Sequence, residues 1–449
     1  MSTASLPFRF FTALFAPMFA AVATAATLTP RQWHEDLAAA RAAIAATHPD
    51  LAHSTSAAAV DHGFARVERQ LRRPLDVDAG WRVLAALNPL FADAHLCVCY
   101  DDWRTEVRGL LADGGGVFPF AVDADADGRL VVTRWLGGAA TPLAGARIAA
   151  INGVPADRIA AELLARVHGD TPRFRAGVLS QRFAFYYWKV FGAPAQFDVA
   201  FGDGARLRVA ADRRGNGDIA GAPSFESAFS LTLLPSRAAV LRIDTFAWPD
   251  KEQVAAFHRD AFARLRDAGV DTLVIDVRNN GGGNDDQWID AVLPYLATQP
   301  YQWASRYRKK IIEKFRKDGE TAGAVVDGRI ERVIEPQPGH PLRFRGKTYV
   351  LVGRGTYSSA VLFANVMQDY GFATLAGTGD AARARQSGGV QRVVLPHSKL
   401  VMSVPRFILE RPSGAAGPAL VTPGIAVEDD PLQPRRAVDA LLARVTAAR

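Results

Sequence analysis

The sequence predicts an α/β protein with a largely parallel sheet, and three observations point to it. Over residues 225–433, apolar strand runs alternate with helical segments: Val240 to Ile243, a helix from Gln253 to Leu265, then the continuous run Thr272 to Val277. Another helix, a strand from Tyr349 to Val352 and a helix through Met367–Tyr370 continue the alternation. Two of the strands run straight into glycine-rich turns, where open α/β sheets keep their ligands. The composition is that of a folded protein, 49% apolar and 22% charged with 38 Gly and 26 Pro, which excludes disordered, collagen-like and coiled-coil chains. The 449 residues correspond to roughly three domains at about 150 residues each.

Taken in order, residues 1–26 read as an export signal rather than as part of the fold. Arg9 precedes the apolar run Phe10 to Val22, and Ala23-Thr24-Ala25-Ala26 supplies the small residues of a cleavage site. The run is short for a membrane span and is interrupted by Pro17, so no stable membrane insertion is expected. The mature protein is expected to be exported, and periplasmic if the source is Gram-negative; an uncleaved N-terminal anchor is the alternative.

Residues 27–100 read as a small helical domain. Thr29-Pro30 caps a helix on which Trp33, Leu37, Ala40 and Ile44 share a face, and Trp81, Leu84, Leu87 and Leu90 mark a second amphipathic segment. Alternation then replaces the helical period in Asp93-Ala94-His95-Leu96-Cys97-Val98-Cys99, placing His95 at a helix-to-strand junction. Cys97 and Cys99 point to one side of a strand, too close in sequence for an easy mutual disulfide, and no zinc-type ligand spacing surrounds them. They are expected to be small buried thiols in a fold stable without disulfides.

Short strands are expected over 115–212. Phe118 to Val122 and Leu130 to Val132 flank Asp123-Ala124-Asp125-Ala126-Asp127-Gly128, whose D-x-D-x-D-G pattern suggests a calcium loop. Arg134 stands where that loop needs its bidentate Glu, so a polar hairpin turn is the better reading. The 53 basic and 46 acidic residues leave a net charge of +7 spread over the chain, and the densest basic run, Arg306 to Lys310, reads as a solvated helix or hairpin face. Nucleic acid is not an expected partner.

The chemistry concentrates in the two turns. Asp276-Val277-Arg278-Asn279-Asn280-Gly281-Gly282-Gly283 lets the backbone approach a ligand and point amides at it, yet matches neither dinucleotide nor Lys-containing phosphate loops. Gly353-Arg354-Gly355-Thr356-Tyr357-Ser358-Ser359-Ala360 leads into a helix; its serines suit either capping or a nucleophile whose oxyanion faces free helix amides. Glycine amides and a helix-start serine on successive strands form an acyl-transfer arrangement.

These segments, T-L-V-I-D-V-R-N-N-G-G-G, T-Y-S-S-A and M-Q-D-Y-G, resemble the tail-specific (C-terminal-processing) serine peptidases and their tricorn-like relatives. T-P-G-I-A-V-E-D-D resembles the family's closing segment, and A-G-A-R-I-A-A-I-N-G-V its PDZ-like domain. The resemblance implies a crotonase-like (ClpP/crotonase-type) core over 225–433 and a PDZ-like domain over 115–212. It implies Ser358 as nucleophile, with an oxyanion hole from the Ser359 amide and one from Gly282 or Gly283. Protein or peptide substrates are implied, captured by their C-termini or by strand addition; no metal or organic cofactor is implied.

One position departs from the processing branch, which uses a Lys base where this chain has Arg383. No Lys occurs between Lys347 and Lys399, and a guanidinium cannot accept the serine proton. Asp93-Ala94-His95 resembles the D-x-H motif of the tricorn-like branch and makes His95 the candidate base. Asp93, Glu410 and Glu428 are open as its acidic orienter. The expectation is an exported serine endopeptidase using Ser358 and His95. The alternatives are a non-catalytic peptide- or ligand-binding member of the fold and an esterase-like hydrolase using Ser358, Asp369 or Asp380, and His397.

Overall fold

The structure, a computed structural model, describes residues 27–214, 223–414 and 419–447, so the export signal expected at 1–26 lies outside the described residues. Its centre is a six-stranded sheet ordered Ile425–Ala426, Thr374–Gly377, Lys347–Val352, Thr272–Asp276, Ala238–Ile243, Phe229–Leu233. The first five strands pair in parallel and the last, at the edge, is antiparallel. Thr272–Asp276 is buried on both faces, as its continuous apolar run requires. Leu273 and Ile275 join the main core, which also takes in Phe363 of helix Ser359–Asp369 and Phe262 of helix Lys251–Asp267. Val274, Tyr349 and Leu351 face the other way, against Val438 and Leu441 of the C-terminal helix Arg436–Ala447. The expected alternation therefore becomes a sheet covered on both sides.

Helices Pro30–Thr47, Ala57–Glu68 and Val77–Leu84 fill the N-terminal region. Thr29 closes a reciprocal capping box with Gln32, and Pro30 occupies the first turn, where its missing N–H costs nothing. The second amphipathic segment is broken: a 3₁₀ turn Ala85–Leu87 separates Val77–Leu84 from Asn88–Phe91. The region then ends in strand Cys97–Cys99, which pairs antiparallel with Val401–Val404, near the other end of the chain.

Between these parts lie a hairpin, Phe120–Ala124 with Leu130–Trp135, and a sheet ordered Val154–Pro155, Ile148–Ile151, Gln196–Phe201, Arg206–Ala210. Asp125 accepts from the Asp127 and Arg129 N–H groups, so Asp123–Gly128 contains a hairpin turn. A 20-residue helix, Pro172–Phe191, also belongs to this region, where short strands were expected. Its apolar residues occupy nearly every side, which hides the helical period. The basic run Arg306–Lys310 is a strand, paired with Val325–Arg329 and Phe407–Leu409. Arg308 reaches Asp327 and Asp50, each at 2.8 Å, and Lys309 reaches Glu320 at 3.1 Å, so much of the run's charge is answered internally.

Cys97 and Cys99 form a disulfide, correcting the expectation of free thiols. Positions i and i+2 on a strand put both side chains on one face, and the Cα separation of 5.8 Å lies within the range a disulfide spans. Sequence proximity was the wrong criterion.

Buried Lys189, on the long helix, joins Asp78 (2.9 Å) and Glu106 (3.0 Å) beneath the Tyr100 ring. Lys189→Ala removes the cation that two partly exposed carboxylates share and empties the space of its buried stem, and is expected to cost about 1–2 kcal/mol. A shift of the urea midpoint to lower concentration would show it; an unchanged midpoint would refute this reading of the tie.

Candidate active site

The parallel register sets Asp276 beside Leu351, so the turns leaving these two strands emerge side by side. They are stitched together: Thr356 Oγ1 donates to the Val277 carbonyl at 2.7 Å, and the Tyr357 and Gly355 amides donate to the Asn280 and Arg278 carbonyls. Ser358 stands at the end of this stitching, at the N-terminus of helix Ser359–Asp369, with φ 54° and ψ −125°. A non-glycine residue held there is strained, and the fixed turns hold it. Its amide donates to Gln386 Oε1 at 3.1 Å.

The imidazole facing Ser358 belongs to His95: its Nε2 lies 3.0 Å from Ser358 Oγ, across 263 residues of sequence. On the other side of the ring, Nδ1 lies 2.8 Å from Ser387 Oγ, and that hydroxyl donates to Asp93 Oδ1 at 2.8 Å. Since the Ser387 proton goes to Asp93, Ser387 accepts from Nδ1–H. Neutral His95 then presents a bare Nε2 to Ser358, the tautomer a general base needs. Asp93 Oδ1 also accepts the His95 backbone N–H at 2.8 Å. Burial lowers the His95 pKa, with the Asp93 charge opposing. Burial pushes Asp93 upward, but the charges of His95, His53 and His48 outweigh it and hold the carboxyl below its usual value.

A second buried acid supports the loop. Asp170 accepts the Ala94 and Arg383 N–H groups and the Tyr357 hydroxyl, and burial together with the Asp93 charge pushes its pKa up to about 6. The Arg383 guanidinium donates to the Ala92 carbonyl. At the position expected for a Lys base, this side chain pins the loop that carries His95.

The two glycines differ. The Gly282 amide is already given to Asn280 Oδ1 at 2.8 Å, whereas neither the Gly283 nor the Ser359 amide has an intramolecular acceptor among the described residues. Ser359 Oγ is spent on Asp285 (2.5 Å) and on the Trp288 indole N–H (2.9 Å), which fixes the start of the helix. Of the candidate acids, Asp93 reaches the His95 ring through Ser387, Glu410 pairs with Arg385 at 2.6 Å and Glu428 is exposed. The alternative using His397 is corrected: that ring lies 2.6 Å from Glu35, its backbone N–H is held by Asp36, and Asp369 is paired with Arg411.

Ser387, Gln386, Asp170 and Tyr357 were not singled out in the sequence. Ser387 and Gln386 sit on strand Gln386–Gly388, whose position depends on pairing with Phe407–Leu409, and no local motif marks them. Among the described residues, Cys97, Cys99 and His168 are close enough to share a metal, with ligand atoms within 4.8 Å. Their sulfurs are bonded to each other, so the thiolates zinc would need are not present.

The model of peptidase family S41 matches residues 237–427, the stretch holding both turns and Ser358. The chain carries a peptidase family S41 domain. It is thereby a serine-type peptidase, acting on peptide bonds. No curated protein matches the chain at a significant level. Among solved structures, mature CPAF complexed with lactacystin is 16% identical, with 93% of this chain and 97% of that chain covered at a TM-score of 0.63. Mature CPAF alone gives 16% identity, 93% and 96% coverage and a TM-score of 0.62. The photosystem II D1 C-terminal processing protease is 15% identical over 88% of this chain and 93% of that one, with a TM-score of 0.46. The two CPAF likenesses show a shared fold that extends well outside the S41 domain, into the helical N-terminal region.

Ser387→Ala removes the acceptor for His95 Nδ1–H and its path to Asp93. It is expected to lower kcat at least about tenfold, within the usual worth of an oriented general base, while KM changes little. Steady-state kinetics on a peptide substrate decide this, and an unchanged kcat would eliminate Ser387 as an orienter. At Gly282, a Cβ would lie 2.6 Å from Ser358 Cβ, with φ at +101°. Gly282→Ala should therefore displace the serine and lower turnover about a hundredfold or more. A folded variant with parental turnover would show that Ser358 tolerates the displacement.

Proposed function

We propose that this S41 peptidase is an exported endopeptidase in which Ser358 is the nucleophile and His95 the general base. The observation that carries the reading is the 3.0 Å contact between His95 Nε2 and Ser358 Oγ, with Nδ1 committed to Ser387 and Asp93. Nε2 takes the Ser358 proton as Oγ attacks the peptide carbonyl. The oxyanion falls to the Ser359 and Gly283 amides, reinforced by the positive end of helix Ser359–Asp369. His95 then hands its proton to the leaving amine, and water releases the acyl group by the same steps in reverse order.

The substrates are proteins or peptides. We assign their capture, by C-terminus or by strand addition, to the PDZ-like region over 115–212, and export to the signal over 1–26. Among the described residues no helix is long and apolar enough to cross a membrane.

A fluorophosphonate probe is expected to label the parental chain but not Ser358→Ala, and both Ser358→Ala and His95→Ala should lose several orders of magnitude in kcat. Arg383→Ala should keep the chemistry, with a smaller loss because the loop at Ala92 loosens. The base works only when neutral, so kcat/KM is present above the His95 pKa and falls as acid protonates the ring. Burial places that limb below the ordinary histidine value of 6.5. A limb well above 7, or His95→Ala with most of its activity, would overturn the assignment of the base.

A further inference from the structure

Two adjoining cavities lie on this side of the molecule, and one of them reaches His95. One, of about 330 Å³, is lined by His95 and His168. The other, of about 470 Å³, lies between strand Phe120–Ala124, helix Pro172–Phe191 and the turns at Arg278–Asn279 and Arg354–Gly355. Trp103, Arg104, Arg182 and Phe185 line both, so the two form one groove leading away from His95.

The charges on its walls do not balance. Arg278 is answered by Asp276 and Asp429, Arg354 by Asp123, and Asp430 by Arg436. Arg134 is exposed. Arg104 and Arg182, both half-buried, have no carboxylate in an ion pair with them among the described residues. Asp102, two positions from Arg104, spends its oxygens on the Arg104 and Thr105 backbone, the Thr105 hydroxyl and Arg108. The two guanidinium groups instead lie against the same Trp103 ring, at 4.5 and 5.7 Å from its centroid. Arg104 Nε is buried without a hydrogen-bond partner. Burial and the charge of Arg182 lower the Arg104 pKa, with the Asp102 charge opposing without reversing it. Arg182 is the one non-helical residue inside its helix (φ −131°, ψ 23°), and its polar neighbour is the neutral Tyr186 hydroxyl.

Two partly desolvated cations on one aromatic ring, neither in an ion pair with a carboxylate, are costly unless an anion joins them. A carboxylate suits this pair, because guanidinium groups bind it through paired, charge-assisted hydrogen bonds. We propose that Arg104 and Arg182 form a subsite for a carboxylate of the bound peptide, so that the groove selects substrates with an acidic group near the cleaved bond. This rests on the peptidase reading above and deepens it: that reading already contains capture of a C-terminus, and the inference adds the side chains that bind a carboxylate and a preference for acidic substrates. The carboxylate has two possible sources, an acidic side chain or the chain terminus.

Binding to the full-length Ser358→Ala chain tests it without requiring turnover. The probes are alanine-based octapeptides carrying a neutral fluorophore, with one Glu moved through each position, their Gln counterparts, and Glu-free peptides ending in a free acid or an amide. Fluorescence anisotropy is expected to show at least one acidic peptide binding about tenfold or more tighter than its neutral twin, the scale of a charge-assisted pair. A preference for Glu over Gln assigns the side chain; a preference for acid over amide termini assigns the terminus. Arg104→Gln with Arg182→Gln, checked by circular dichroism, should bring acidic and neutral peptides to the same affinity. Equal binding of acidic and neutral peptides, no binding by any peptide, or a preference that survives the double substitution would overturn the proposal. If the Ser358–His95 assignment itself failed, the anisotropy result would still stand.

Discussion

The site depends on one hydrogen bond between distant parts of the chain, donated by the Ser358 hydroxyl to His95 Nε2. Each partner is fixed by different forces. Ser358 is held by backbone geometry: two parallel strands set their turns side by side, and side chains such as Thr356 and Asn280 satisfy the turns' polar groups. His95 is held by electrostatics, through Asp93 and Ser387 on one side and the Tyr357–Asp170 pair on the other. A 3.0 Å contact persists only if both supports are rigid, which is why so many of the neighbouring groups are buried.

The buried charges are arranged so that few stand alone. The Asp93 charge raises the proton affinity of Asp170, yet Arg383 and two backbone amides meet Asp170, and three histidines surround Asp93. Arg383 suits this role better than lysine would. Its planar fork reaches the Ala92 carbonyl while its own backbone N–H meets Asp170, and it keeps its charge at any working pH. A lysine buried there would readily lose its proton, which suits a base but not a pin.

Much of this was legible in the sequence, and what was not has a common cause. The two glycine-rich turns, Ser358 and the junction at His95 carry local signatures, because tight turns and helix starts demand particular residue types. The parallel sheet was legible because buried strands must be continuously apolar. Ser387 and Gln386 were not, since their roles come from the register of Gln386–Gly388 on Phe407–Leu409, which no local pattern specifies. Asp170 was hidden likewise: an Asp ahead of a helix reads as a cap. The Cys97–Cys99 bond was misjudged because strand geometry, rather than separation along the chain, controls the reach between i and i+2.

The placement of His95 also constrains how the molecule can be assembled. Residues 237–427 match the S41 model and contain Ser358, Ser359, Gly283 and Ser387, yet neither His95 nor Asp93 lies within them. His95 arrives from the N-terminal region on the residues just before Cys97–Cys99, and that strand is docked on Val401–Val404, inside the matched stretch. The turns that hold Ser358 therefore lie within the matched stretch, and under the proposed mechanism the serine lacks a proton acceptor until the two ends of the chain have paired. Long-range antiparallel pairing is entropically costly to nucleate and forms after local structure. Under the proposed mechanism, proton transfer is thereby tied to pairing of the N-terminal region with the S41 domain, because Ser358 and His95 meet only across that junction.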